Sequence, residues 1–189
     1  MPELLSPGIF LYTYFMRRKS ALLELQELVS QCRASILYKP FKGEIDYNAR
    51  SFPLDIHENN LTLPDNKDGD PFEWAAKCIT RFKNTRPYIL IPGAKFDMYG
   101  TRHGKGGGWY DRFLSKVPSA WLRIGVIDKS QMSATQLLKQ ERDEPVNWII
   151  VCDNKLYEVH KIDAIKSRST KSTPRRFASR STLKREELV

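Results

Sequence analysis

The residues best suited to chemistry lie between positions 91 and 114, in the stretch IPGAKFDMYGTRHGKGGGWYDRFL. Four glycines fall within residues 104–108, and Lys105 separates the first from the rest. Glycine lets the backbone approach a ligand closely and adopt positive φ, and successive backbone N–H groups ahead of a helix can surround an anion. Arg102 and Lys105 add positive charge at the same place. The segment predicts a phosphate-binding loop, although its spacing matches neither the P-loop nor the dinucleotide fingerprint.

Several residues around these glycines have two interpretations. Glycines alone also fit a flexible turn, and the charged and aromatic neighbours favour binding. Asp111, just inside a predicted helix, can stabilise the helix N-terminus or bind Mg²⁺, which prefers one or two carboxylates together with phosphate oxygens and water. Asp97 is expected to order the loop. His103 is either a loop histidine or a phosphate contact.

Alternating helices and strands surround this segment. Asp70 as N-cap, Pro71 at the first helical position and Glu73 predict the start of a helix that ends near Asn84. The remaining predicted elements are a helix over residues 22–29, a loop-rich stretch over 38–69, strands over 88–91, 121–127 and 148–151, and helices over 109–116 and 133–140. This order predicts an α/β protein, a three-layer α/β/α domain with a mostly parallel sheet. In such folds ligands bind at the carboxyl ends of the strands.

The charge is concentrated near the end of the chain. Of a formal net charge of +9, residues 166–189 contribute eight Lys or Arg and two Glu. This stretch has few apolar residues to bury, so residues 166–189 are predicted to form a disordered basic tail after a single domain over residues 1–165. Such a tail is either a solvated, solubilising segment or an arm for nucleic acid or an acidic partner, and the first reading is preferred.

The remaining composition argues against several classes of protein. The cysteines Cys32, Cys78 and Cys152 are odd in number and far apart, which argues against a disulfide framework or a zinc knuckle. The longest early apolar run, residues 9–16, is far shorter than the roughly 20 residues that a bilayer requires. The basic cluster of residues 17–19 follows that run, the wrong order for a secretory signal. We expect a cytoplasmic protein with no membrane partner, and a monomer.

The segment resembles the signature of the 5-formyltetrahydrofolate cyclo-ligase (methenyltetrahydrofolate synthetase) family. A weaker likeness follows at residues 143–147, Asp-Glu-Pro-Val-Asn, and the resemblance extends over about residues 89–153. Thirteen positions of the signature are met at fixed spacing: Pro92, Gly93, Phe96, Asp97, Gly100, Arg102, Gly104, Gly106, Gly107, Gly108, Tyr110, Asp111 and Leu114.

The resemblance implies an enzyme of folate and one-carbon metabolism, an ATP-dependent ligase that converts 5-formyltetrahydrofolate to 5,10-methenyltetrahydrofolate. ATP would phosphorylate the formyl oxygen, a neighbouring nitrogen would attack the activated carbon, and phosphate would leave. The resemblance assigns catalysis to Arg102, Lys105 and Tyr110, and Mg²⁺ binding to Asp111 and Asp143. It assigns ATP binding to Arg102, His103, Gly104, Lys105, Gly106, Gly107, Gly108, Trp109 and Tyr110. Trp109 and Tyr110 could also line a pterin pocket, or belong to the core.

The chain departs from the family pattern at several positions. Trp109 replaces a tyrosine, Lys95 replaces a small residue, and Asn147 replaces a common late aspartate. The family's mid-chain glutamate that contacts folate has no clear counterpart in this sequence; Glu44 and Glu58 are the two candidates. Two alternatives to the cyclo-ligase therefore stay open: a nucleotide- or phosphate-binding paralogue that acts on another substrate, and a nucleic-acid-binding protein that uses the basic tail.

Overall fold

The computed structural model describes residues 21–49, 51–65 and 68–162. In this part of the chain a six-stranded sheet has the order β2-β1-β3-β6-β7-β8. Its strands are β1 (Ala34–Leu37), β2 (Asn60–Thr62), β3 (Pro87–Pro92), β6 (Leu122–Asp128), β7 (Trp148–Asp153) and β8 (Leu156–Lys161). All neighbouring pairs are parallel except β7 and β8, which are antiparallel. The α/β class with a mostly parallel sheet is confirmed. The predicted tail, residues 166–189, lies outside the described residues.

In the part of the chain that the structure describes, three α-helices accompany the sheet: residues 21–31 belong to α1, α2 is Pro71–Arg81 and α3 is Trp109–Leu114. All six residues of β3 are buried, which requires covering layers on both faces of the sheet. Helices α2 and α3 pack against each other, and α1 is joined to β8 by an ion pair between Glu24 and Lys161. No helix in the described ranges is long and apolar enough to cross a bilayer.

Helix α2 begins as its sequence predicts. The Asp70 carboxylate accepts a hydrogen bond from the Phe72 N–H at 2.7 Å, and Pro71 occupies the first turn. The apolar side of the helix, with Ala75 and Cys78 fully buried, faces the core. The helix ends at Arg81, three residues before the predicted end near Asn84, and the N–H of the capping residue Phe82 donates to the Cys78 carbonyl. Pro87, which disfavours helical geometry at Arg86, then begins β3.

The prediction of a helix over residues 133–140 is wrong. These residues are irregular. In a helix the Leu137 N–H would donate to the Ser133 carbonyl, but it donates to the Asp97 carboxylate at 2.8 Å. The Ser133 N–H donates to the Phe96 carbonyl at 2.7 Å, so the segment is attached to residues 96 and 97.

A two-stranded antiparallel ribbon carries the glycine segment away from the sheet. It consists of β4 (Lys95–Phe96) and β5 (Arg102–His103). At its base the Phe96 ring packs so closely on β6 that a Cβ on Gly125 would lie 2.6 Å from the ring. The Asp97 carboxylate accepts from the Tyr99 and Thr101 N–H groups, both at 2.9 Å, so it orders the turn of the ribbon as predicted.

Candidate functional site

The glycine loop, residues 104–108, connects β5 to α3 and lies between cavities on its two sides. Gly106 has φ +94° and Gly108 has φ +58°, backbone geometry that favours glycine. A Cβ on Gly106 or Gly107 would meet no atom within 4 Å. Tight packing therefore does not explain why these two positions lack a side chain. Helix α3, with six residues, has too short an axis for a large dipole, so any anion here would depend on the loop amides and nearby cations.

Cavity A, of about 380 Å³, lies on one side of the glycine loop. Its walls come from the chain after β1, the chain after β2, the end of β3 and the glycine loop. Strands β1 and β3 are neighbours, but the chain leaves β1 towards β2 on one side and leaves β3 towards β6 on the other. This is the topological switch point at which α/β sheets form their ligand crevices. The lining residues are Lys39, Phe41, Glu44, Pro64, Asp65, Asp68, Pro92, Lys105 and Tyr110.

Glu44 is held in the wall of cavity A by the turn that carries it. Its Oε2 accepts from the Phe41 N–H at 3.1 Å, and its own N–H donates to the Phe41 carbonyl at 2.9 Å. The Tyr38 hydroxyl donates to the Ile45 carbonyl and attaches the same turn to the core. Of the two glutamates considered from the sequence, the structure places Glu44 in this cavity.

Lys105 extends from the glycine loop to the opposite wall of cavity A. Its Nζ lies 3.1 Å from Glu44 Oε1 and 4.7 Å from the centre of the Phe41 ring. The Lys105 side chain is 55% exposed, so the contact closes only one edge of the cavity. Residues separated by 61 positions thus meet across the mouth of cavity A.

Tyr110 forms part of the floor of cavity A. Burial raises the pKa of its phenol, and the nearby Glu44 carboxylate raises that pKa further. The hydroxyl therefore stays protonated at physiological pH and can serve as a hydrogen-bond donor, not as a base. The Arg102 guanidinium lies 5.4 Å from the centre of the Tyr110 ring.

Cavities B and C lie on the other side of the glycine loop, with volumes of about 270 and 330 Å³. They share Gly106, Gly108, Asp111 and Arg142. Cavity B is also lined by Arg102, His103, Gly104, Leu138, Gln140 and Asp143, and cavity C by Gly107, Arg112, Ser115 and Glu144. Three arginines and the loop amides therefore border one connected region.

A buried ion pair lies at the base of cavity B. Arg102 Nη2 lies 2.6 Å from Asp111 Oδ2, and the two side chains are 4% and 13% exposed. Asp111 Oδ1 accepts from the Glu144 N–H at 3.4 Å. Arg102 Nε is buried with no hydrogen-bond partner in the described part of the chain. An unsatisfied buried donor is costly, so this arginine has capacity for a further acceptor.

Asp111 and Asp143 both line cavity B, as a shared metal site would require. Asp143 Oδ2 accepts from the Gln140 N–H at 2.7 Å, which fixes the carboxylate at the end of its segment. The described residues contain no group of three or more His, Cys, Asp or Glu side chains that could hold a metal. Two carboxylates fit Mg²⁺ that takes its other ligands from phosphate and water.

Two further predicted site residues, Trp109 and His103, make contacts within the protein. Trp109 is buried, donates its indole N–H to the Gly69 carbonyl at 2.8 Å, and stacks on Phe113. It lines none of the three cavities, in agreement with the core interpretation. His103 Nε2 lies 2.9 Å from the Leu138 carbonyl oxygen and links β5 to the irregular segment.

Sequence reasoning missed Lys39 and Arg142, which line cavities A and B. Lys39 lies two residues after the end of β1, a strand that was not predicted. Arg142 directly precedes Asp143, which was predicted to bind Mg²⁺, and this position in the sequence could have marked it as a site residue.

Comparisons with known proteins agree with the resemblance. The model of the 5-formyltetrahydrofolate cyclo-ligase family matches residues 71–152, which confirms the resemblance over that stretch. The solved structure of a 5,10-methenyltetrahydrofolate synthetase from Mycoplasma pneumoniae is similar at 18% identity, covering 77% of this chain and 88% of that chain, with a TM-score of 0.42. A TM-score at this level supports no further conclusion. No curated protein matches the sequence significantly.

Proposed function

We propose that this protein is an ATP-dependent 5-formyltetrahydrofolate cyclo-ligase. The observation that carries the proposal is one glycine loop bordered by two different sites. Cavity A lies at the switch point of the sheet and combines the apolar side chains of Phe41, Pro64 and Pro92 with the Tyr110 phenol and five charged side chains, Glu44 and Lys105 among them. Cavities B and C are lined by arginines, loop glycines and two aspartates. The first suits a flat, polar-edged substrate, and the second suits a polyphosphate.

In this proposal the reduced folate occupies cavity A and the triphosphate of ATP lies in cavities B and C. The formyl oxygen attacks the terminal phosphorus and ADP leaves. The neighbouring folate nitrogen then attacks the formyl carbon and loses its proton, and the C–O bond breaks to release inorganic phosphate, which takes up that proton. Both steps need two substrates held close together and charge neutralised at the phosphate, so positioning and electrostatics supply most of the rate.

The residues have distinct parts in this scheme. The glycine-loop amides, with Arg102 and Arg142, bind phosphate oxygens. Lys105 lies where the two substrates meet and neutralises charge on the transferred group, while Tyr110 donates a hydrogen bond to the folate. Asp111 and Asp143 would hold Mg²⁺, which supplies positive charge to the phosphates when bound. A monomer and a cytoplasmic location remain predictions.

The test mixes purified protein with 5-formyltetrahydrofolate and Mg·ATP and follows the near-ultraviolet absorbance of the methenyl product. Asp143→Asn should raise the KM for Mg·ATP at least tenfold, and Glu44→Gln should raise the KM for the reduced folate. Asp55→Asn, at an exposed position that lines none of these cavities, is the matched control. Folded protein that binds ATP yet forms no product would reject the cyclo-ligase and favour the paralogue with another substrate.

A further inference from the structure

Arg123 on β6 is a buried arginine that the proposed reaction does not use directly. Its side chain is 7% exposed. Nη1 donates to Glu144 Oε2 at 2.7 Å, and Nη2 donates to the Leu114 carbonyl at 2.9 Å. A charged group is costly to bury unless it is paired and hydrogen-bonded. These two partners satisfy both terminal nitrogens, whereas Nε has no hydrogen-bond partner among the described residues.

Those two partners belong to the segments that carry the proposed metal ligands. Leu114 is the last residue of α3, the helix that contains Asp111. Glu144 is adjacent to Asp143, and its N–H donates to the Asp111 carboxylate. The backbone of Arg123 strengthens the connection, because its N–H donates to Asn147 Oδ1 at 3.0 Å and its carbonyl accepts from the Asn147 N–H at 2.9 Å.

We infer that Arg123 is a positioning residue that holds the Asp111 helix and the Asp143 segment together, so that both carboxylates face cavity B. The inference rests on the proposed function for the identity of the ligand, Mg²⁺ with a phosphate. The positioning role itself does not rest on the proposed function, because the contacts of Arg123 with both segments are independent of what cavity B binds. Arg123 lines none of the three cavities, so it acts through the residues that it holds.

The test replaces Arg123 with lysine, which keeps the charge but can reach only one of the two partners. Mn²⁺ binding, measured by electron paramagnetic resonance in the presence of ATP, should weaken about 10- to 100-fold, as expected for outer-shell partners of metal ligands. The KM for the reduced folate should not change. Arg86→Lys is the matched control, since Arg86 also donates to a backbone carbonyl, that of Ala120, away from the cavities.

Hydrogen exchange provides a second measurement that does not depend on the reaction. Amides within residues 140–147 should exchange faster in the Arg123→Lys protein than in the wild type, and at the wild-type rate in the Arg86→Lys protein. If these amides exchange at the wild-type rate in the Arg123→Lys protein, the inference is overturned whatever the protein binds. If wild-type protein binds neither Mn²⁺ nor ATP, the proposed function fails, while faster exchange would still support the positioning role.

Glu144→Gln covers the case in which Arg123→Lys does not fold. It removes the charge from the link and leaves the Arg123 bond to the Leu114 carbonyl in place. The same faster exchange over residues 140–147 is expected, with weaker Mn²⁺ binding. Unchanged exchange and unchanged Mn²⁺ affinity in a folded Glu144→Gln protein would contradict the positioning role.

Discussion

The buried ion pair between Arg102 and Asp111 should couple the two residues energetically, and a double-mutant cycle measures that coupling. Arg102→Met leaves a mostly buried carboxylate without its cation, and Asp111→Asn leaves a buried guanidinium without its anion. The double variant removes both charges and keeps side chains of similar size. Urea denaturation of the four proteins gives the free energy of unfolding for each.

The magnitude follows from burial, since the two side chains are 4% and 13% exposed and 2.6 Å apart. Removing one partner of a buried pair costs about 3–5 kcal/mol, whereas replacing both is often close to neutral. For a domain of this size each kcal/mol corresponds to about 2–4 °C in Tm, so each single variant should lose about 6–20 °C. The double variant should be more stable than the sum of the single losses by about 2 kcal/mol or more.

A surface pair provides the control for this cycle. Lys39 and Asp65 lie 3.3 Å apart, but their side chains are 65% and 39% exposed. Their coupling, from Lys39→Met and Asp65→Asn, should stay below about 1 kcal/mol. If the Arg102 and Asp111 losses add to within about 0.5 kcal/mol, the pair contributes no specific stability and the reasoning is refuted.

Three further predictions concern packing, the loop and pH. Gly125→Ala should reduce the unfolding free energy by about 1–3 kcal/mol in urea titrations, because its Cβ would lie 2.6 Å from the Phe96 ring. Gly107→Ala should leave stability unchanged, because its Cβ meets nothing within 4 Å. The same substitution should weaken ATP binding, measured by calorimetry, at least tenfold. Equal ATP affinity would argue against contact between the loop backbone and phosphate. Burial raises the pKa of the Cys78 thiol from 9.0 to about 12. The folded state thus retains a proton that the unfolded state releases, so stability should fall as pH rises from 9 towards 12, and less steeply in Cys78→Ala.

The elements around the glycine loop could be predicted because their signals are local. Asp70 and Pro71 mark the start of α2, and the apolar run before Pro92 marks β3. Strand β1 was missed because Ala34–Leu37 is only four residues long, includes the polar Ser35 and follows closely on a helical pattern. Strand β8 was missed because Leu156–Lys161, an edge strand in which only Val159 is buried, has neither a continuous apolar run nor strict alternation.

Neither the irregular path of residues 133–140 nor the division of the site into separate cavities could be predicted from local sequence patterns. Residues 133–140 have a helical composition, but hydrogen bonds to Phe96 and Asp97, about 40 positions earlier, determine their path. The two sides of the glycine loop depend on which loops the sheet order brings together. Lys105 illustrates this point, because its type and position predicted a phosphate contact but could not show that its ammonium group also lies against Glu44 in cavity A.

The Arg102 guanidinium is shared between the two sides of the glycine loop, since it pairs with Asp111 beside cavity B and lies against the Tyr110 ring beneath cavity A. A ligand in cavity B that moves this guanidinium would also change its contact with the Tyr110 ring. Because Tyr110 lines cavity A, a ligand there would then meet a changed surface. Thermodynamic linkage then requires reciprocity: whatever factor the first ligand applies to the affinity for the second, the second applies to the first. The order in which two such ligands arrive would change the path to the ternary complex but not its free energy.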